Sequence, residues 1–217
     1  MLRPLNRHSG DLCTPPISPL CWPVDPSDGH SALLRLQYST ANERAFFLRD
    51  PTAHPMKVCS AETGELMSYA RWNFFPDGYD FERDECVDAE EFLPEEGRGV
   101  MRVELYRGLR QGMMRLRREW QPKGEGSWVL MSMVTRECWR GQGAAKLLIE
   151  WGLQRAREDG VPAYLEASVE GKPVYERHGF QQVGELVPWD MRPHGIDVTF
   201  DIAKMAYYPD SHEERSK

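Results

Sequence analysis

The sequence has no pair of cysteines spaced C-x-x-C, and its five cysteines, at 13, 21, 59, 86 and 138, are odd in number and scattered. A zinc knuckle and a disulfide framework are therefore not indicated. Reduced thiols in a cytoplasmic protein without a metal are the simplest expectation. Long apolar runs are missing as well. None approaches the roughly 20 residues that a spanning helix needs, and no apolar core of a signal peptide follows Arg3, Arg7 and His8. Positive charge is in deficit: 27 Lys and Arg stand against 34 Asp and Glu, a net charge of −7. That argues against nucleic-acid and membrane partners, and leaves a soluble monomer or homodimer as the expected state.

What is present suffices for one domain with a decorated terminus. Among 217 residues, 41% are hydrophobic, and seven Trp and ten Met supply large, adaptable side chains for a core. Residues 1–30 hold Pro4, Pro15, Pro16, Pro19, Pro23 and Pro26 with little periodicity, and read as an irregular leader to a domain over 31–217. Residues 33–48 read as a strand followed by a helix. Strands over 56–59 and 66–72 flank Glu62-Thr63-Gly64-Glu65, a hairpin in which Gly64 supplies positive φ. Residues 77–97 carry ten acidic side chains against Arg83 alone. This reads as a solvated loop that would draw a cationic amine if it lined a site.

Over 102–120, Leu105, Leu109, Met113, Leu116 and Trp120 recur at helical period, with Arg107, Arg110, Arg117 and Arg118 expected on the surface. A central strand is predicted over 128–134 and a helix over 146–158. The helix should turn Leu147, Leu148 and Trp151 to one side and end at Gly160. A strand follows over 163–168, then a short helix over 173–178 with Pro at its start and Gly179 past its end. Two further antiparallel strands are predicted over 180–187 and 196–207.

Between the central strand and its helix lies Trp139-Arg140-Gly141-Gln142-Gly143-Ala144-Ala145-Lys146. A strand that feeds a glycine-rich turn and then a helix gathers free amides and a positive dipole end at one point, where a diphosphate is held without a cationic side chain. Two familiar phosphate motifs fail on this loop. A P-loop needs Gly-Lys followed by Ser or Thr, but Lys146 lies between Ala145 and Leu147; a dinucleotide fingerprint meets Lys146 where its third Gly or Ala belongs.

Three pieces then stand in fixed order: Arg140-x-x-Gly143-x-Ala145, a strand ending Tyr164-Leu-Glu-Ala-Ser168, and Tyr175-Glu-Arg-His-Gly179-Phe180. In order and spacing this resembles the GNAT superfamily of acyl-CoA-dependent N-acyltransferases, and in wording fungal GNAT-domain proteins of unassigned substrate. The resemblance runs from about residue 56 to the C-terminus, with the motif core over 125–185. It implies a mixed α+β fold whose central, mostly antiparallel sheet splays into a V between two parallel strands, flanked by helices. The amides of Gly141, Gln142, Gly143, Ala144, Ala145 and Lys146, with Arg140, would hold the diphosphate of acetyl-CoA. Backbone at Met133, Val134 and Thr135 would pair with the pantetheine arm, and Ser168 would end the other arm of the V.

The reaction so implied moves an acetyl group to a primary amine, small or peptidyl, by direct attack. An N–H near Met133 would polarise the thioester carbonyl, and Tyr175 would protonate the leaving thiolate. Glu166 is a candidate base, or else a strand residue that faces solvent or pairs with an Arg; Tyr175 is alternatively a packed aromatic. Cys138 has no nucleophilic role, and His178 reads as covering a helix end. Two departures mark the comparison: Glu137 where relatives often carry Pro, and Gly141 where they often carry Arg. Both make the cradle less cationic, which favours the alternative of a non-catalytic acyl-CoA-binding protein with the same fold.

Overall fold

The structure, a computed structural model, describes residues 30, 33–34, 37, 40, 44, 48, 50–79, 102–194 and 196–209, of which 107, 110 and 194 by backbone alone. The expected leader lies outside the described residues apart from His30, as does the acidic run beyond residue 79. The described residues fall into two compact units, within 1–51, 81–120 and 136–138, and within 52–80, 121–135 and 139–217. No helix among them is long and apolar enough to cross a membrane.

The first unit is helical at every described position from 30 to 48, so the strand expected at its start is not found. Its helix α1, Val103–Trp120, buries Leu105, Leu109 and Leu116 from the predicted stripe. Arg117, expected on the surface, is buried too. It follows Leu116 by about 100° of helical rotation and so falls at the edge of the apolar face. Arg117 and Arg118 in the last turn complement the negative end of the helix dipole, and Glu104 the positive end.

The second unit is built on a seven-stranded sheet. Its strands are β1 (Ala53–Cys59), β2 (Leu66–Phe75), β3 (Ser127–Thr135), β4 (Ala163–Ser168), β5 (Gln181–Gln182), β6 (Val187–Asp190) and β7 (Thr199–Tyr207). They lie in the order β1-β2-β3-β4-β7-β5, with β6 also paired to β7; only β3 and β4 run parallel. This is the mixed α+β sheet that the resemblance implied. The predicted hairpin is there, closed by Gly64 at φ 71° with its N–H on the Ser60 carbonyl at 2.9 Å. The single strand expected over 180–187 is instead two, because Gly184 turns the chain at φ 67° between β5 and β6.

Helix α2, Ala144–Asp159, covers one face of the sheet with Ala144, Leu148, Ile149, Gly152, Leu153 and Ala156. Leu147, expected on that face, is exposed instead. The stripe is centred on 148 and 152, and 147 lies about 100° off it. Burial of Leu148, Ile149 and Leu153 stabilises the unit by roughly 1.5–3 kcal/mol each. Gly152 lets the helix lie directly on the indole of Trp72, since a Cβ there would stand 2.1 Å from the ring. The Trp72 Nε1–H donates to the Leu148 carbonyl at 3.0 Å. As predicted, Gly160 ends the helix at φ 65°, its N–H shared between the carbonyls of Ala156 and Arg157.

Candidate active site

The parallel pair is short. β3 meets β4 only at Trp128↔Ala163 and Val129↔Tyr164, although both strands continue for several residues beyond. The cause lies on the other side of β3, where Trp72 pairs with Leu130 but Arg71 with Ser132. Met131 is thus an extra residue, a β-bulge that bends β3 away from β4. The apex is held by aromatic packing: Trp128 lies 5.0 Å from Phe74 and 4.9 Å from His54, and its Nε1–H donates to Asp159 Oδ2 at 2.8 Å. Above the apex two strand edges diverge into an open V.

The residues expected to line the β3 edge are not equivalent. The Ser68 hydroxyl donates to the Val134 carbonyl at 2.8 Å and lies 2.9 Å from Thr135 Oγ1. That turns the backbone of Val134 towards β2. Successive strand residues direct their peptide groups to opposite edges, so Met133 and Thr135 face the open arm.

Past β3 the chain makes a 3-10 turn, Glu137–Trp139, and reaches the glycine loop. Gly141 (φ 74°) and Gly143 (φ 85°) are both left-handed, and a Cβ at either would meet no protein atom within 4 Å. Glycine is therefore needed for backbone conformation, and the space over the loop is free for a ligand. Gly143 caps α2 without a side-chain hydrogen bond. No side chain caps the helix-start amides at Ala144, Ala145 and Lys146. An arginine at 141 would have to adopt positive φ, so its absence goes with the second left-handed turn. Arg140, Gln142 and Lys146 are exposed, and Lys146 pairs with Glu150 at 3.6 Å.

On β4, Glu166 accepts from Gln121 Nε2 at 3.3 Å and stands opposite Lys204 of β7. Ser168 is engaged locally: its Oγ accepts the Gly171 N–H at 3.1 Å and orders the turn into α3, Lys172–Glu176. Tyr175 lies on that helix. Its ring packs edge-on to Phe180 at 6.0 Å and against the apolar core, and burial pushes its phenol up to about 12. Its carbonyl accepts the N–H groups of His178 and Phe180, which closes the turn through Gly179 at φ 89°. Tyr175 and Glu166 approach the V from opposite faces of the sheet, because Leu165 and Ala167, the neighbours of Glu166, are in the core that Tyr175 packs against.

The acetyltransferase (GNAT) family matches residues 64–180. The chain belongs to that family. A search of curated proteins gives no match. Among solved structures, the GNAT chain is similar to a histone acetyltransferase HPA2 and related acetyltransferase from Corynebacterium glutamicum, at 20% identity and a TM-score of 0.50, over 79% of this chain and 74% of that one. It is also similar to Arabidopsis thaliana NAA60 in complex with a bisubstrate analogue, at 14% identity and a TM-score of 0.47, over 84% and 95% of the two chains.

Some features of this GNAT site went unforeseen in the sequence. Gln121 and Ser132 are silent there; only a fold brings them to β4 and to the bulge. Gly152 did carry a signal, since a glycine inside a helix costs about 1 kcal/mol against alanine and implies a close approach. A cleft of about 580 Å³ also lies along the outer side of α2, lined by Leu147, Trp151, Arg157, Arg177 and His178 among others. Among the described residues no cluster of His, Cys, Asp or Glu is placed to hold a metal.

Proposed function

We propose that the chain transfers an acetyl group from acetyl-CoA to a primary amine, small or peptidyl, by direct attack. The observation that supports this best is the separation of β3 from β4 beyond Val129↔Tyr164, with Met131 bulged, next to a helix start without a cap. The Gly141–Gly143 turn and the amides of Ala144 to Lys146, with Arg140 beside them, suit the diphosphate. The peptide edges of Met133 and Thr135 suit the amides of the pantetheine arm, and the turn at Ser168 bounds the opposite arm.

In the reaction the amine nitrogen attacks the thioester carbon, whose oxygen takes charge against the Met133 N–H. The C–S bond then breaks with its electron pair on sulfur. Tyr175 gives that sulfur its phenolic proton, while Glu166 accepts the proton lost by nitrogen, and both groups recover through solvent. A phenol pushed up to about 12 stays protonated at neutral pH, the state an acid must hold before the step. Exposed thiols at Cys59 and Cys138 suit a cytoplasmic location.

The test is thiol release from acetyl-CoA with a panel of primary amines. Amine-dependent release is expected, with kcat lowered about 100-fold by Tyr175→Phe at unchanged coenzyme affinity. Coenzyme binding with no amine-dependent release, unaltered by Tyr175→Phe, would instead establish a non-catalytic acyl-CoA-binding protein.

A further inference from the structure

The face of the sheet turned away from α2 holds buried oxygen acceptors that the steps above leave unused. Gln121 is only 4% exposed, and its Nε2 donates to Glu166 Oε1 at 3.3 Å. A carboxylate only accepts, so the amide must present its N–H to Glu166 and turn its oxygen elsewhere. That Gln121 Oε1 is buried with no hydrogen-bond partner. Ser132 Oγ is in the same condition. Native proteins seldom leave such acceptors unmet, and a ligand that carries N–H donors would meet both.

The bulge brings Ser132 level with Glu166. Beyond the last parallel pair, Val129↔Tyr164, Glu166 stands two residues along β4. Ser132 stands three residues along β3, but Met131 is the extra one, so Ser132 reaches the same level. It also regains the face of Val129, opposite Arg71, whereas an unbulged strand would turn position 132 into the core. Ser132 and Glu166 therefore stand on facing arms of the V, level and on one face, with Gln121 beside Glu166.

We infer that Ser132 Oγ, Gln121 Oε1 and the Glu166 carboxylate form the seat of the acceptor nitrogen, and that the seat selects a protonated primary amine. Such a group offers three N–H donors and no acceptor, one for each oxygen. A tertiary ammonium offers one donor and leaves two acceptors unmet. On seating, one N–H proton passes to the Glu166 carboxylate and on to solvent, and the N–H electron pair stays on nitrogen as the lone pair that attacks; the second proton, released by nitrogen after attack, goes to the regenerated carboxylate. The Gln121 N–H holds the carboxylate in place while the oxygen of the same amide holds the amine. This inference rests on the acyl-transfer reading above.

The test uses the full chain, acetyl-CoA, and n-hexylamine, spermidine and alaninamide as acceptor probes. Gln121→Leu and Ser132→Ala should each raise the KM of the best probe about tenfold, with the acetyl-CoA KM within about twofold of wild type. Ser132→Thr, which keeps the hydroxyl, should retain the wild-type value, and N,N-dimethylhexylamine should compete at least about tenfold more weakly than hexylamine. Should Gln121→Leu not fold, Ser132→Ala decides alone. Acceptor KM values unchanged in variants that still bind coenzyme would remove the seat and leave the acyl-transfer reading standing. Absence of thiol release from wild type with every probe would overturn both.

Discussion

The two faces of β2, β3 and β4 bury opposite kinds of side chain. Towards α2 the strands turn Ala70, Trp72, Trp128, Leu130, Ala163 and Leu165, all in one apolar cluster. The polar atoms among them are matched, Trp72 Nε1 by Leu148 and Trp128 Nε1 by Asp159. On the other face the alternate positions include Arg71, Asn73, Val129, Ser132, Tyr164 and Glu166, of which Arg71, Asn73, Val129 and Tyr164 are buried. Strand alternation ordinarily sets an apolar inside against a solvated outside. Here the second face is largely polar without being solvated, with Val129 as its apolar member. Polar groups are costly to bury, so they are retained for something other than stability. One face holds the fold, and the other is where we place the acceptor.

Changes on the apolar face should therefore move stability and leave acceptor kinetics alone. The largest effect is expected from Trp72→Ala, which empties the space over Gly152 and abandons the Leu148 carbonyl. It should cost about 3–5 kcal/mol in urea unfolding. Gly152→Ala attacks the same contact from the helix side. Alanine favours a helix by about 1 kcal/mol, but a Cβ 2.1 Å from the indole forces the helix off the sheet, for a net loss of about 2–3 kcal/mol. If either variant kept full stability, or if the fraction that stays folded showed an altered acceptor KM, the division between the faces would break.

How far the sequence disclosed each face follows from the distance over which its signal is written. The proposed donor end is local: Gly141, Gly143 and the helix behind them are nearly consecutive, and the glycine turn between strand and helix is found where the sequence places it. β4 is found over the predicted 163–168, because its apolar run is bounded by Pro162 and by the turn at Gly171. The V was implied by resemblance rather than read from residues; its cause, the extra residue Met131, is visible only in the register against β2. Arg117 and Leu147 were assigned to the wrong environment because a helical stripe fixes its centre better than its edges. The acceptor face was the least legible. Gln121, Ser132 and Glu166 are separated by 11 and 34 residues, read as the differences of their numbers, and no local pattern joins them.

Tyr175 tests the comparison most finely, because it is a polar hydroxyl set against the apolar face. Burial raises its phenol from 10.0 to about 12. The folded state thus favours the protonated form more than the unfolded chain does. The stabilisation is complete below pH 10 and is lost as pH rises towards 12. A shift of that size corresponds to roughly 2.7 kcal/mol at most, and access of some water to the hydroxyl brings it to about 1–2 kcal/mol. Wild type should lose that much more unfolding free energy than Tyr175→Phe between about pH 9.5 and pH 11.5. An identical pH dependence of the two proteins would mean that the hydroxyl is solvated, and would take Tyr175 out of the packed apolar face.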